Sequence, residues 1–339
     1  MDETKRPKVA TLLLSYDYGL PERGPSLERG RFFPAICDFA DVAPFWLEEN
    51  GYPDDLEGLQ GRIVEFVEKE RPDVVFTITM RDEISCKTLD RLKELSFVVN
   101  WFCDDQWRFD DYSSKRAPHL SGAMTVDLYS LPKYREMGVP AVWVPWGIRD
   151  FAEEPSLRDV KYEFDVSFIG GADRNRRWWI KRIEALTGLS VACFGSGWKG
   201  GRVSDQDVMD IMLRSRINLN LSNSRNNDIR FVLSSPVNAL RYLRSGKNQE
   251  QVKARNIEIP AFGGFELSCY APGIERYFSI GDEIDLFTSP EEAAVKISYY
   301  LLDEKRRESM KLKAYRRAKR DYHLGAVILE GLKNLGVSF

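Results

Sequence analysis

The chain has 339 residues, 43% of them hydrophobic, and a formal net charge of -3 at pH 7. That length supplies two domains of ordinary size, each with its own core, and the slight acidity excludes a global electrostatic drive toward nucleic acid or anionic lipid. The five cysteines, Cys37, Cys86, Cys103, Cys193 and Cys269, are odd in number and form no C-x-x-C or Cys/His cluster, so they read as buried thiols in a reducing compartment. Residues 1–7 are charged and the apolar run 9–14 is too short for a secretory signal or a membrane span, so the expected location is cytoplasmic.

Apolar runs of strand length alternate with helical stretches, the pattern of parallel sheets covered by helices. The first strand is 9–14. It opens into the breaker-rich loop 15–26, which is followed by a helix over 27–39. In an open α/β sheet the loops after the carboxyl ends of the strands form the ligand crevice, so this loop is expected to face it. Its glycines do not match G-x-G-x-x-G, which argues against a nicotinamide-dependent oxidoreductase.

A helix over 56–69, ended by Arg71-Pro72, precedes the strand 73–79, and a helix over 84–95 precedes an apolar strand from Phe97. That strand is read as ending in Asp104 and Asp105, whose side chains alternate to opposite faces. Such a pair serves as a catalytic base, as a binder of an acceptor hydroxyl or as a helix cap, and the residues leave the three open. Trp101 and Trp107 beside it suit stacking on a sugar face. His119, in Ala117-Pro118-His119, ranks behind the Asp pair. Strands near 122–126 and 141–144 close the first half, and the polar, aperiodic stretch 151–159 marks a domain boundary.

In the second half, Phe164-Asp165-Val166-Ser167-Phe168-Ile169-Gly170-Gly171 is a strand entering a glycine turn, and the helix start that follows carries Arg174, Arg176 and Arg177. Backbone amides at Gly170 and Gly171, a helix amino terminus and Arg174 suit a phosphate. The strand 189–194 leads to Trp198, which either stacks on a base or fills the surface. A helix over 205–214 and a strand over 217–221 follow. The polar segment 222–249, with a helix at 237–244, reads either as a lid that orders on ligand binding or as a disordered insertion.

Most of the chemistry collects in Lys253-Ala254-Arg255-Asn256-Ile257-Glu258-Ile259-Pro260-Ala261-Phe262-Gly263-Gly264-Phe265-Glu266-Leu267. The spacing predicts a helix over 253–262, stopped by Gly263 and Gly264, and a strand over 265–269. Lys253 and Arg255 can hold a diphosphate, with Glu258 one turn on accepting hydrogen bonds from ribose hydroxyls, or the three form an ordinary solvated helix face; spacing alone leaves both open. Helices over 290–302, 305–320 and 323–335 end the chain. The second of these is basic, with Glu308 as its only acid, and either lies solvated or rests on an acidic membrane surface. His323 caps or packs at the start of the third.

The central stretch resembles the nucleotide-binding segment of group 1 glycosyltransferases. More closely, Lys253-x-Arg255-x-x-Glu258-x-Pro260-Ala261-x-Gly263-Gly264 is similar to the CgeB-like branch, as are Trp101-Phe102-Cys103-Asp104-Asp105 and the Gly170-Gly171 turn. The family's Glu-x7-Glu signature fits both Glu250 with Glu258 and Glu258 with Glu266. The first register puts Glu258 on the helix as the ribose binder and makes Glu250 the sugar-contacting carboxylate.

The resemblance implies a GT-B fold: two facing Rossmann-like domains with an interdomain cleft and a C-terminal crossover helix. The expected divisions are 1–150 for an acceptor-side domain, 151–320 for a nucleotide-sugar domain and 321–339 for the helix returning to the first. It also implies transfer of a sugar from a UDP- or GDP-linked donor to a glycan or glycoconjugate hydroxyl. Lys253, Arg255, Gly170, Gly171 and Arg174 would stabilise the leaving diphosphate, while Asp104, Asp105 and Glu250 are the catalytic candidates. No D-x-D motif follows a suitable strand, so neither a metal nor a further cofactor is expected. The alternative is a non-catalytic protein that binds a sugar nucleotide or glycan at a spore or cell surface.

Overall fold

A computed structural model of the chain describes residues 6–153 and 160–338. The predicted boundary stretch therefore lies outside the described residues from 154 to 159. The chain forms two compact units, residues 1–149 together with 323–339, and residues 150–322.

The sheet of the first unit has six strands: β1 (Lys8–Leu13), β2 (Asp41–Trp46), β3 (Val74–Thr77), β4 (Phe97–Phe102), β5 (Gly122–Thr125) and β6 (Ala141–Trp143). They lie in the order β2-β1-β3-β4-β5-β6, every pair parallel. Val9, Ala10, Thr11, Leu12 and Leu13 are all buried, as expected of a parallel strand covered on both faces. Asp55 and Ser85 cap the helices Leu56–Glu70 and Cys86–Leu95. Leu59, Ile63 and Val67, one turn apart, carry the first helix onto a core that includes Val75, Val98 and Phe102.

The strand β2 was not expected. Its Pro44 cannot donate to a ladder and most of its residues are partly exposed, which fits an edge strand paired only with β1. The helix predicted over 27–39 is interrupted. Glu28–Phe32 is one π-turn before the α-helix Phe33–Cys37, an irregularity that collects at functional positions.

The second unit has β7 (Phe164–Ile169), β8 (Ala192–Phe194), β9 (Ser215–Asn220), β10 (Glu266–Cys269) and β11 (Asp285–Phe287), in the order β11-β10-β9-β7-β8 and again wholly parallel. The helix Arg174–Thr187, capped by Asp173, buries Trp179, Ile180 and Ile183 against Phe168 and Leu219, and the helix Pro290–Leu302 adds Ala293 and Ile297. In each sheet the chain leaves one strand for one side and later returns to the other. The resulting switch points, β1/β3 and β7/β9, are where open α/β sheets bind ligands at their carboxyl ends.

The last helix, Leu324–Asn334, buries Leu324, Ile328 and Leu332 and packs on Phe33–Cys37 and β6 of the first unit. The amide of Leu324 donates to the Ile148 carbonyl at 2.9 Å. His323 holds the N-cap position of this helix without a side-chain cap bond, and its backbone bridges Ile148.

The basic helix, Glu304–Asp321, combines exposed cations, among them Lys305, Arg306, Arg316 and Lys319, with cations held inside the unit. Arg307 and Lys311 are buried, Lys311 on Glu308 at the short pair distance of 2.5 Å. Lys313 pairs with Asp282, and Arg317 and Arg320 pair with Asp321. Among the described residues, no helix is long and apolar enough to cross a membrane.

Candidate functional site

The stretch expected to carry the chemistry lies beside the carboxyl ends of β9 and β10. Its helix is Ala254–Ala261, with Lys253 at the N-cap. The Lys253 amide donates to Asn256 Oδ1 at 2.9 Å. Asn256 Nδ2 in turn donates to Glu266 Oε1 at 2.7 Å and Ser268 Oγ at 3.1 Å, while Asn220 Nδ2 reaches the same Glu266 oxygen at 2.9 Å. The start of the helix is therefore fastened to β9 and β10 through one buried carboxyl. Gly263, at φ +74°, ends the helix in the left-handed region.

Cations converge above this network. Lys253 Nζ donates to Asn223 Oδ1 at 2.6 Å, and Arg255 Nη1 lies 2.7 Å from Glu258 Oε2. Arg176, only 14% exposed in its side chain, donates through Nε to the Leu221 carbonyl and through Nη1 to the Gly171 carbonyl, both at 3.1 Å. It thereby ties together the ends of β7 and β9 at the switch point. Burial pushes the Arg176 guanidinium below its ordinary value; Asp173 opposes this, and the nearby positive charge of Arg255 adds to it.

Arg176 is a further candidate that the structure adds beside Arg174. Arg174, the expected phosphate ligand, is the first residue of its helix and is exposed. With Asp173 as N-cap, Arg176 is the third helical residue, and side chains that lean toward a helix amino terminus carry it over the strand end. The cap was the signal that could have found it.

The two carboxylates of the preferred register sit differently. Glu258 is buried, with its side chain 5% exposed against Arg255. Glu250 accepts a short hydrogen bond from Ser224 Oγ, while its Oε2 is buried without a hydrogen-bond partner. Ser222, Glu250, Lys253, Asn256, Ser268 and Cys269 line a recess at this point. Glu266, set aside as a strand residue, lies beneath it. It is 1% exposed, its Oε2 also lacks a hydrogen-bond partner, and burial raises its carboxyl to about 8.

The glycine turn after β7 packs on the loop after β8. Gly195, at φ +121°, approaches so closely that a Cβ there would stand 2.4 Å from the Gly170 carbonyl oxygen. Trp198 Nε1 donates to that oxygen at 2.8 Å, and the Arg177 guanidinium lies 5.0 Å from the centre of the Trp198 ring. Gly171 keeps open space where a side chain would be.

The Asp pair belongs to the first unit, and its strand-based geometry needs correction. The strand β4 ends at Phe102, Asp104 is the N-cap of a short helix, and Asp105 is its first residue, so strand alternation does not apply. Asp105 is 1% exposed and accepts from Ser113 Oγ at 2.5 Å and Tyr134 Oη at 2.8 Å. Burial raises its carboxyl above the ordinary value. Asp104 stays partly exposed. Trp101 is 1% exposed, enclosed by Phe32 and Trp146, so it offers no sugar platform. His119 Nδ1 is 2.8 Å from Asp90 Oδ1. Among the described residues, no group of three or more His, Cys, Asp or Glu side chains could hold a metal ion.

Anabaena HepE, solved in complex with UDP-glucose, aligns over 98% of this chain and 100% of its own with a TM-score of 0.63 at 13% identity. A glycosyltransferase from Rickettsia africae aligns over 98% of both chains with a TM-score of 0.62 at 12% identity. Sucrose-phosphate synthase from Thermosynechococcus elongatus aligns over 96% of this chain and 97% of its own, with a TM-score of 0.63 at 10% identity. The fold is GT-B. A family model described as glycosyl transferase-like matches residues 174–330, which takes in Arg176, Glu250 and the whole central stretch of this GT-B chain. No curated protein matches the sequence at a significant level.

Proposed function

We propose that this GT-B chain is a glycosyltransferase of the CgeB-like branch, moving a sugar from a nucleoside-diphosphate donor to an acceptor hydroxyl in surface polysaccharide or glycoconjugate synthesis. The observation that carries the reading is the convergence of Arg176, Lys253 and Arg255 with Glu250 and Glu258 at the β7/β9 switch point. Cations at that place suit a diphosphate, and buried acceptor oxygens beside them suit hydroxyl donors. The UDP-glucose complex of Anabaena HepE shows that this fold accommodates such a donor in another protein.

In the proposed reaction the bond from the anomeric carbon to the phosphate oxygen breaks and a bond to the acceptor oxygen forms. Charge developing on the departing diphosphate is met by Lys253, Arg255 and Arg176, together with the amides near Gly170 and Gly171, so the step needs no metal. In a retaining reaction the acceptor proton passes to the departing phosphate on the same face. With Asp104 of the first unit as general base, the reaction inverts. Proton NMR of the product anomer separates the two.

Calorimetry with UDP- and GDP-linked sugars, followed by a turnover assay with and without acceptor, tests the assignment. Binding of one donor class with slow hydrolysis or transfer is expected. Glu258→Ala should weaken that binding by about 1–3 kcal/mol, the worth of hydrogen bonds to a charged group. Tight binding with no turnover under any condition identifies a binding protein instead, and no binding of any sugar nucleotide rejects the reading.

A further inference from the structure

The segment between β9 and the helix Ala254–Ala261 carries an apolar surface that the candidate site does not use. In the helix Ile229–Leu233, Ile229 is 68% and Leu233 75% exposed; in the helix Pro236–Arg244, Leu243 is 76% exposed and Val237 and Leu240 are nearly half exposed. The opposite face is anchored. Phe231 packs edge-on against the Trp178 ring at 5.8 Å, and Asn238 Nδ2 donates to Ser234 Oγ at 2.9 Å. Soluble surfaces scatter large apolar side chains singly, whereas here they crowd onto two consecutive helices.

Charge supplies the second half of the argument. Between Asp228 and Glu250 the sequence has Arg230, Arg241, Arg244 and Lys247 and no carboxylate. Arg230 is held by Asp228 and Glu291. Arg241 and Arg244 are exposed on the same helix as Leu240 and Leu243, and among the described residues no acidic side chain pairs with either. Protein interfaces centre on aromatic anchors, and every exposed anchor on these two helices is aliphatic. Branched aliphatic side chains dissolve among acyl chains while guanidinium groups sit at lipid phosphates, so one partner satisfies both features.

We infer that the two helices over 229–244 dock on an anionic bilayer surface and hold the protein there without spanning it. The basic helix Glu304–Asp321 exposes cations but, among the described residues, no large apolar side chain, so it lacks the apolar half of such a contact. The same segment begins with Asn223 and Ser224, which hold Lys253 and Glu250. If the donor-site reading holds, docking brings that site toward acceptors anchored in the membrane.

Flotation of the full chain with vesicles tests this independently of any sugar nucleotide. The wild-type protein should float with an equimolar mixture of phosphatidylglycerol and phosphatidylcholine and stay down with phosphatidylcholine alone. The combined change Leu233→Ser, Leu240→Ser and Leu243→Ser should reduce the floated fraction by about tenfold or more, as should Arg241→Glu with Arg244→Glu. Lys305→Glu in the basic helix should leave it unchanged. Circular dichroism confirms that each variant is folded. Failure of the wild type to float, undiminished flotation of either 229–244 variant, or equal flotation with neutral vesicles would overturn the inference. So would a wild-type dimer, seen by light scattering, that the leucine variant converts to monomer without any vesicle binding.

Discussion

The two units place the same architecture under different electrostatics. Both are parallel sheets with a switch point, yet the perturbed groups near the first are carboxyls and a thiol, whereas at the second a buried arginine stands among carboxyls. In the first unit, burial lifts Glu28 to about 7, and Asp17 and Glu48 push it in the same direction. Burial also raises the Cys103 thiol, with Asp104, Glu28 and Asp105 adding to the effect. In the second unit burial and Arg255 drive the Arg176 guanidinium down, while burial raises the Glu266 carboxyl. A fold dictates where a ligand sits, while the charges at the strand ends decide which ligand. On the proposed reading the diphosphate belongs at the second sheet and the acceptor hydroxyl at the first.

The contrast breaks most sharply at Lys253. Lys253→Ala should lower kcat by about a hundredfold or more, the usual loss on removing one preorganised charge partner, while folding stability stays near wild type. A turnover assay with saturating donor that shows an unchanged rate would remove the cationic end from the mechanism. In the first unit the two aspartates should part company. Asp105→Ala should destabilise the protein by about 1–3 kcal/mol, because the hydroxyls of Ser113 and Tyr134 lose a buried acceptor. Asp104→Ala should stay within about 0.5 kcal/mol in stability and lower transfer instead. Denaturant titration beside the activity assay distinguishes them.

The smallest effect concerns Glu266. Its carboxyl is raised to about 8 from an ordinary 4.5, so the folded state keeps a proton that the unfolded state gives up. Stability should therefore fall as pH rises through that window and level off above it. Glu266→Gln removes this contribution, so the stability difference between variant and wild type should shift in favour of the variant toward alkaline pH. A pH-independent difference would show that the group is not buried in its neutral form.

Much of this was legible because parallel strands are buried on both faces and write themselves as apolar runs. The strands β1, β4, β7 and β10 and the helix over the central stretch stand within a few residues of their expected places. What was hidden has specific causes. The strand β2 is an edge strand containing Pro44, and the helix Ile229–Leu233 is five residues long with Ile229 and Leu233 outward, so neither shows a buried period. The placement of Asp105 turned on where β4 stops, and an end of strand or helix is the least readable feature of a sequence. Adding Arg176 to Arg174 required the helix cap rather than the charge pattern. Glu266 looked like an ordinary strand residue because nothing in its neighbourhood along the chain announces Asn220 as a partner.

The first unit is discontinuous in sequence: its sheet is finished by residue 143, but Leu324, Ile328 and Leu332, which cover part of it, come from the far end of the chain. During synthesis, the sheet over 8–143 must therefore wait, partly uncovered, until residues 324–334 leave the ribosome. The sheet that begins first is covered late, and deleting residues 324–334 would harm strands made long before them.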